Sequence, residues 1–143
     1  MPKIKELIGD VLQGKSGSID VDSIMTAGKI VGLYFSAHWC PPCRGFTPTL
    51  ATFYNNVKSK KNFEIIFISS DKDESSFKEY LDSMPWPALP FSDRDRKKAL
   101  SEKFGVTGIP TLILLDEDGK VLNKNARGDV LDDPEGEDFP WKN

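Results

Sequence analysis

The chain has 143 residues, of which 38% are hydrophobic and 29% charged, and its net charge at pH 7 is -3. This length favours a single compact domain over residues 1–143. The slightly acidic balance argues against a nucleic-acid partner, which requires a basic face. Charges within residues 1–10 interrupt the apolar run of a signal peptide, and no segment offers the roughly 20 apolar residues of a membrane span. We therefore expect a cytoplasmic protein with no membrane contact.

The first half of the sequence predicts a helix, a strand and a longer helix. Apolar residues recur at helical spacing over residues 4–12, and Gly and Ser then mark a turn over residues 13–18. The run Ile30–Ser36 is β-branched and aromatic with apolar residues on both faces, which is typical of a central strand. From Pro42 onward, apolar residues recur every three or four positions, which predicts a helix ending at the lysines near position 60.

The middle of the sequence repeats this alternation. Phe63–Ser69 is a second continuous apolar run and predicts another buried strand. Asp73 then precedes an apolar stripe at helical spacing, as a helix cap would. Three prolines within residues 85–90 predict a loop that cannot continue this helix. Residues 94–104 predict a further short helix that ends before a glycine.

The last part of the sequence predicts a hairpin and a pinned tail. The pattern predicts two strands, Thr111–Leu115 and residues 120–125, joined by an acidic turn that contains a glycine. Residues 129–143 are acidic and rich in Gly and Pro. We expect Phe139 and Trp141 to pin this tail to the body of the protein.

This order of elements predicts an α/β fold. A strand, helix, strand order gives a parallel pair, and the final hairpin extends it, so the central sheet should be mixed and covered by helices on both faces. Strand ends and helix starts then meet at one edge of the sheet, where functional sites form.

The sequence has two cysteines, Cys40 and Cys43, and they lie where a predicted strand is followed by a predicted helix. If Cys40 is the N-cap and Pro41 the first helical residue, free N–H groups and the helix dipole favour the Cys40 thiolate as the attacking sulfur. Cys43, one turn later, is placed to resolve the mixed disulfide. Trp39 either shields the thiolate and contacts a protein substrate, or is a core tryptophan.

A Cys-x-x-Cys pair can also be half of a zinc site. A structural zinc needs four ligands, and this sequence offers two cysteines and one histidine, so we expect no metal. That histidine, His38, lies two residues before Cys40. It either tunes the protonation of Cys40 or is an exposed side chain of little consequence.

The Trp-Cys-Pro-Pro-Cys motif after an apolar strand and the Ile-Pro-Thr triplet at 109–111 resemble the thioredoxin superfamily. Within it, residues 35–48, 84–91 and 133–141 resemble the tryparedoxin and nucleoredoxin group. The resemblance implies a thioredoxin fold with an N-terminal extension. It also implies a cis bond between Ile109 and Pro110 that faces the cysteines and presents backbone for pairing with a substrate. Otherwise Pro110 is an ordinary proline at the start of a strand.

One position departs from the thioredoxin pattern. Thioredoxins proper carry a buried acid six residues before the first cysteine, and Tyr34 occupies that position here. The proton acceptor is then Tyr34, a water or a carboxylate from elsewhere, or none is needed. Asp71 and Asp73 follow the second strand and are the nearest acidic candidates. The alternative for both is a pair of solvated loop acids.

The resemblance further implies a thiol-disulfide oxidoreductase that reduces protein disulfides. Its cofactor would be the redox-active Cys40–Cys43 disulfide alone, its electron donor trypanothione or another dithiol, and its acceptor a peroxiredoxin or another disulfide-bearing protein. We expect a monomer. Arg127 lies where tryparedoxin-like chains often keep a basic residue; it either receives an anionic donor or is a simple surface arginine.

Two other interpretations remain open. Nucleoredoxins are multidomain, whereas tryparedoxins are free-standing domains of about this length, so a 143-residue chain favours the latter; an excised domain would look the same. A nucleoredoxin-like chain would act as a redox-sensitive binding module. A disulfide reductase driven by thioredoxin reductase is the third possibility.

Overall fold

The structure, a computed structural model, describes residues 4–26 and 28–141. Its helices are α1 (Ile4–Ile8), α2 (Val21–Ile24), α3 (Pro41–Lys61), α4 (Glu74–Asp82), α5 (Arg94–Lys103) and α6 (Ala126–Asp132). Its strands are β1 (Val11–Gly14), β2 (Gly17–Asp20), β3 (Ile30–Ser36), β4 (Phe63–Ser69), β5 (Thr111–Leu115) and β6 (Val121–Asn123). Within the described residues, no helix combines the length and apolarity needed to cross a membrane.

The main sheet is mixed, as the sequence predicts. Its strand order is β4-β3-β5-β6, with β3 parallel to β4 and antiparallel to β5, and β5 antiparallel to β6. The register pairs Ser36 with Ser69, so β3 and β4 end side by side. The loops that follow these two strands therefore start at the same edge of the sheet.

Helices cover both faces of this sheet. On one face Tyr34 packs with residues of α3, α4 and α6 in a cluster that includes Leu50, Phe77 and Val130. On the other face, its neighbour Leu33 packs with residues of α1, α2 and α5. This alternation follows from the two-residue period of a strand, and it confirms the predicted layers.

The N-terminal extension differs in detail from the prediction. The helix expected over residues 4–12 ends at Ile8, because Gly9 has a φ of +87° that breaks the helix. The turn expected over residues 13–18 is instead largely a hairpin of β1 and β2. Gln13 and Ala88 exchange backbone hydrogen bonds of 2.7 and 2.9 Å, and Ala88 also bridges to β4. The predicted turn is retained at residues 15–16, and the residues on either side of it belong to the two strands.

The C-terminal segment contains a helix that the sequence analysis missed. The last strand ends at Asn123 and α6 follows, in part of the region predicted as an irregular acidic tail. Val130 is buried against α3, so tertiary packing stabilises a short helix that contains a glycine. The predicted pinning of the tail is confirmed, since Phe139 is 6% exposed and Trp141 packs against the same core.

Candidate active site

The two cysteines lie at the start of α3, directly after the central strand. Cys40 is the N-cap, Pro41 occupies the first turn, and the Cys40 sulfur accepts a hydrogen bond of 3.4 Å from the backbone N–H of Cys43. Both side chains are free thiols in this structure. The predicted capping position of Cys40 is therefore confirmed, and its sulfur faces the N–H groups of the helix end.

The two sulfurs have different surroundings. Cys40 is 5% exposed, whereas Cys43 is 0% exposed. Burial, together with a hydrogen bond to Cys40, raises the pKa of the Cys43 thiol to about 11, and a hydrogen bond from Ser36 opposes this rise. Cys40 is thus the sulfur that an incoming molecule can reach, and Cys43 lies behind it.

The loop before β5 faces the dithiol. The bond between Ile109 and Pro110 is cis, as expected, and the Cys40 sulfur lies 4.0 Å from the carbonyl oxygen of Ile109. The Ile109 side chain also packs against Cys40 and Cys43. The backbone that would pair with an extended substrate is therefore next to the accessible sulfur. Its role in binding stays a prediction.

Trp39 lies on the surface beside Cys40. Its side chain is 55% exposed, so the alternative of a core tryptophan is wrong. The indole N–H donates a 3.0 Å hydrogen bond to the carbonyl of Ser70, at the end of β4. Pro41, between Trp39 and the helix, is also exposed. The ring is thus fixed in place and offers an apolar contact surface next to the reactive sulfur.

Asp71 and Asp73 have separate structural roles. Asp71 is 5% exposed and accepts hydrogen bonds from the backbone N–H of His38 at 2.7 Å and the Ser69 hydroxyl at 2.8 Å. The alternative of a solvated acid is therefore wrong for Asp71, which fastens the cysteine loop to the end of β4. Asp73 caps α4 through the N–H of Ser76, and this contact lowers the pKa of its carboxyl.

Tyr34 occupies the interior beneath the dithiol. It is fully buried, its hydroxyl oxygen lies 2.7 Å from the Thr47 hydroxyl, and burial raises the pKa of its phenol well above the ordinary value. A phenol that stays neutral in this way is a poor proton acceptor at neutral pH. The tyrosine at the position of the thioredoxin acid is thus a hydrogen-bonding group.

Three polar side chains around Cys43 were missed by the sequence analysis. The Tyr80 hydroxyl oxygen lies 2.8 Å from that of Ser36 and 2.6 Å from that of Thr47. Thr47 also donates to the carbonyl of Cys43 at 2.9 Å. The one available signal was the position of Thr47 four residues after Cys43, which places it over the same face of the helix.

His38 and Arg127 lie near the site but do not contact the sulfurs. His38 is half-buried and its ring stacks on Tyr80 at 5.4 Å, so the alternative of an exposed side chain is wrong. It lines a groove of about 490 Å³ between α3 and α4, together with Arg44 and Thr47. Arg127 is exposed and its guanidinium lies over Phe46, 5.8 Å from the ring centroid.

Comparison with known proteins agrees with this geometry. A family model described as Thioredoxin-like matches residues 28–121, which contain both cysteines and the loop before β5. This chain belongs to the thioredoxin-like family. Over residues 4–26 and 28–141, no group of three or more His, Cys, Asp or Glu side chains is arranged to hold a metal ion.

The relatives place the chain in the tryparedoxin group of this family. It is 50% identical over 133 residues to a tryparedoxin of Trypanosoma brucei brucei, covering 92% of this chain and 91% of the relative. It is 45% identical over 136 residues to human nucleoredoxin, but spans only 31% of that longer protein. The chain is thus a tryparedoxin-like oxidoreductase that is also related to nucleoredoxins.

Solved structures of tryparedoxins share the whole fold. Native tryparedoxin I from Crithidia fasciculata superposes with a TM-score of 0.93 at 44% identity, with 99% of each chain covered. A tryparedoxin II bound to glutathionylspermidine superposes with a TM-score of 0.93 at 42% identity, again over 99% of each chain.

Proposed function

We propose that this protein reduces disulfides in other proteins by a two-step exchange at Cys40 and Cys43. The main support for this proposal is the difference between the two cysteines. The Cys40 sulfur lies at the helix N-cap and is partly exposed, whereas Cys43 lies one turn behind it and is fully buried. This is the arrangement that an attacking and a resolving thiol require. Trp39, Pro41, Ile109 and Pro110 form the surface that receives the substrate.

The exchange moves two electrons from the dithiol to the substrate. The Cys40 thiolate attacks one substrate sulfur, forming a mixed disulfide and breaking the substrate disulfide, and the first thiol leaves. The Cys43 sulfur then attacks the Cys40 sulfur, so that the mixed disulfide breaks and the second thiol leaves with the proton of Cys43. The protein ends as the Cys40–Cys43 disulfide, and a donor dithiol restores it by the reverse steps.

The proposed electron donor is trypanothione and the proposed acceptor is a peroxiredoxin. The 50% identity to a trypanosomal tryparedoxin and the related complex with glutathionylspermidine support a thiol donor of this class. Arg127 is an exposed cation that would attract the anionic end of such a donor. We further propose that the protein acts as a monomer in the cytoplasm, with its dithiol as the sole cofactor.

Substitution of each cysteine tests the two-step exchange. Cys40→Ser should abolish turnover of a protein disulfide, whereas Cys43→Ser should accumulate a mixed disulfide visible by mass spectrometry and released by dithiothreitol. The Cys43→Ser adduct also shows that this variant is folded and binds substrate. Full activity in Cys40→Ser would refute the proposal.

A parallel assay with two reducing systems tests which electron donor the protein uses. One arm supplies trypanothione with trypanothione reductase, and the other supplies NADPH with thioredoxin reductase. We expect turnover in the first arm alone, with a peroxiredoxin as the acceptor. Turnover in the second arm alone would instead identify a reductase linked to thioredoxin reductase.

The second candidate function is a redox-sensitive binding module. The 45% identity to human nucleoredoxin over 94% of this chain favours it. Under this alternative, the reduced and oxidised forms would differ in affinity for a target protein without turning over its disulfide. Proteins trapped by Cys43→Ser supply the targets, and equal binding of both redox forms to them would exclude the alternative.

A further inference from the structure

A groove between α3 and α4 starts beside the dithiol, and the two-step exchange assigns it no role. One face of each helix lines it, with Arg44, Thr47, Pro48 and Ala51 from α3 and Tyr80 and Ser83 from α4. The four residues of α3 follow the spacing i, i+3, i+4, i+7, which places them on one side of that helix. The groove therefore runs lengthwise along α3.

Short side chains leave the space between the two helices open. Pro48, Ala51 and Ser83 line a groove of about 490 Å³, a volume within the range of sites that bind ligands. From Arg44 to Ala51 it extends about 10 Å along the helix axis, at 1.5 Å per residue. Because an extended chain rises about 3.3 Å per residue, the groove has room for about three residues of an extended peptide.

The groove begins next to the sulfur that starts the exchange. Arg44 follows Cys43 directly, and its backbone N–H donates to the carbonyl of Cys40 at 3.0 Å. His38, two residues before Cys40, also lines the groove, with its ring stacked on Tyr80. Arg44 lies about 6 Å beyond Cys40 along the helix axis, which is the span of about two extended residues. A peptide whose cysteine meets Cys40 can therefore enter the groove two or three residues away.

The groove and the loop before β5 lie on different flanks of β3. The Tyr80 ring of α4 packs 5.3 Å from that of Phe67 on β4, whereas Ile109 and Pro110 precede β5. The strand order β4-β3-β5-β6 places β3 between these two strands. A substrate segment that crosses Cys40 can thus pair with the backbone of Ile109 on one side of its own cysteine and lie in the groove on the other.

The polar groups of the groove indicate the kind of segment that fits. Arg44 is an exposed cation and His38 can become one, and no acidic side chain lines the groove within the described part of the chain. None of the ion pairs found among residues 4–26 and 28–141 involves Arg44. Pro48 has no N–H, so the Arg44 carbonyl lacks the donor that the fourth residue along a helix normally supplies. The groove thus offers a cation to a carboxylate and an acceptor to a backbone N–H.

We propose that this groove binds the segment beside the reactive cysteine of a protein substrate, and that it selects a segment with an acidic residue about two or three positions from that cysteine. The acidic side chain pairs with Arg44, and the next residues lie against Pro48 and Ala51. This inference rests on the proposed two-step exchange and adds a preference among its protein substrates.

Matched peptides test the preference for an acid. Each peptide carries one cysteine as its thiopyridyl disulfide, with Glu, Gln or Lys two or three positions away on either side. Attack by Cys40 releases pyridinethione, whose absorbance gives the rate, and attack by Cys43 then releases the peptide thiol. We expect the best Glu peptide to react about threefold to fivefold faster than its Gln counterpart, as for a partly exposed ion pair, and faster still than the Lys peptide. Equal rates would overturn the proposal, whereas no release of pyridinethione from any peptide would refute the exchange itself.

Reversal of the charge at position 44 provides a second test. Arg44→Glu should invert the order, so that the Lys peptide reacts faster than the Glu peptide. Lys98→Glu is the matched control, because it makes the same change in net charge at an exposed residue of α5, which packs on the opposite face of the sheet. The order is compared between peptides on one protein, so a general effect on the reactivity of Cys40 cancels. An unchanged order in Arg44→Glu, or an inverted order in Lys98→Glu, would overturn the proposal.

Filling the groove tests whether the peptide lies in it. Ala51→Phe places a ring between the helices, and Thr52→Phe places the same ring on the next residue, which is exposed and about 100° around the helix. The readout is the rate with the Glu peptide divided by the rate with the thiopyridyl disulfide of cysteine alone, which has no flanking residues. This ratio should fall several-fold in Ala51→Phe and stay the same in Thr52→Phe. An unchanged ratio in an Ala51→Phe protein that circular dichroism shows to be folded would contradict the proposal.

Discussion

Cys40 and Cys43 are three residues apart and chemically identical, yet the fold gives them different environments. Cys40 caps the helix, keeps 5% of its surface exposed and lies near the carbonyl of Ile109, whereas Cys43 is fully enclosed. Burial is also what raises the pKa of Cys43 to about 11. The proposed division of labour between the two sulfurs therefore rests on the strand-to-helix junction that places one behind the other.

Alkylation at neutral pH tests this difference. Iodoacetamide at pH 7 should modify Cys40 and spare Cys43, because a thiol with a pKa of about 11 has only about one molecule in ten thousand ionised at that pH. Peptide mass spectrometry locates the adduct. In denaturant both residues should react, which serves as the control. Comparable labelling of the two cysteines in the folded protein would contradict the assigned environments.

Asp71 holds the cysteine loop, and its neighbour Asp73 offers a matched control. Asp71→Ala should lower stability by about 2 kcal/mol and slow disulfide turnover, because the buried N–H of His38 and the hydroxyl of Ser69 both lose their acceptor. Asp73→Ala removes the cap of α4 and should lower stability while leaving turnover nearly unchanged. Urea unfolding and a steady-state assay measure the two effects. A larger loss of turnover in Asp73→Ala would argue against Asp71 as the positioning acid.

At the scale of elements, the segment after α6 closes over the core by packing and by one organising acid. Asp133 accepts hydrogen bonds from the backbone N–H groups of Glu137 and Asp138 and from the indole N–H of Trp141. These contacts lower the pKa of its carboxyl. They also set the turn that brings Phe139 to within 4.8 Å of the ring centroid of Phe63. A polar, acidic stretch thereby completes the face of the sheet that carries α3.

Truncation of the buried ring tests this closure. Phe139→Ala should lower the free energy of unfolding by about 3 kcal/mol, because it removes a buried aromatic ring and leaves a cavity. Leu131→Ala is the control, since Leu131 is 54% exposed and its loss should cost within about 0.5 kcal/mol. Urea denaturation of both variants gives the comparison. Equal effects would mean that the C-terminal segment does not pack as described.

At the scale of the whole molecule, stability becomes linked to redox state and pH. The pKa of Cys43 is raised to about 11 in the folded protein, above its ordinary value of about 8.5. Its contribution to stability is therefore fully present below about pH 8.5 and is lost as pH rises toward 11. Asp73 and Asp133 have lowered pKa values, so their contributions are lost at the acid end instead.

Unfolding curves of the two redox forms should diverge in alkali. The oxidised protein has no Cys43 thiol to ionise, so the reduced protein alone should lose this contribution between about pH 8.5 and 11. Urea denaturation at a series of pH values measures the gap. Cys43→Ser lacks the same thiol and should follow the oxidised form. Parallel curves for the reduced and oxidised proteins would show that Cys43 is not buried as described.

The features that depend on residue spacing within one segment could be predicted from the sequence. The capping position of Cys40, the central strand and the long helix after it follow from residue spacing within one segment, and the structure confirms them. The strands β1 and β2 pair with each other within residues 11–20, but Gln13 of this hairpin also bridges to Ala88, which lies far along the chain. Local spacing carries no information about a partner supplied by the tertiary fold.

The polar surroundings of the site were less accessible to sequence reasoning. The sequence indicated Tyr34 and Asp71 without deciding their roles, and the spacing of Tyr80 indicated only an apolar stripe on α4. Its hydroxyl meets its hydrogen-bond partners only because the fold brings β3, α3 and α4 together. A tyrosine is both apolar surface and hydrogen-bonding group, and burial alone decides which partner its hydroxyl meets.

Trp39 gives this site an intrinsic fluorescent reporter. Its ring is 55% exposed, while Trp86 is 2% exposed and Trp141 is partly buried in the core. A neutral quencher in solution therefore reaches the indole of Trp39 more readily than the buried indole of Trp86. That ring is anchored to the carbonyl of Ser70 and precedes Cys40 directly in the chain, so a protein substrate that contacts it should shield it from the quencher. Occupancy of the active site can thus be followed by light emission from the unlabelled protein.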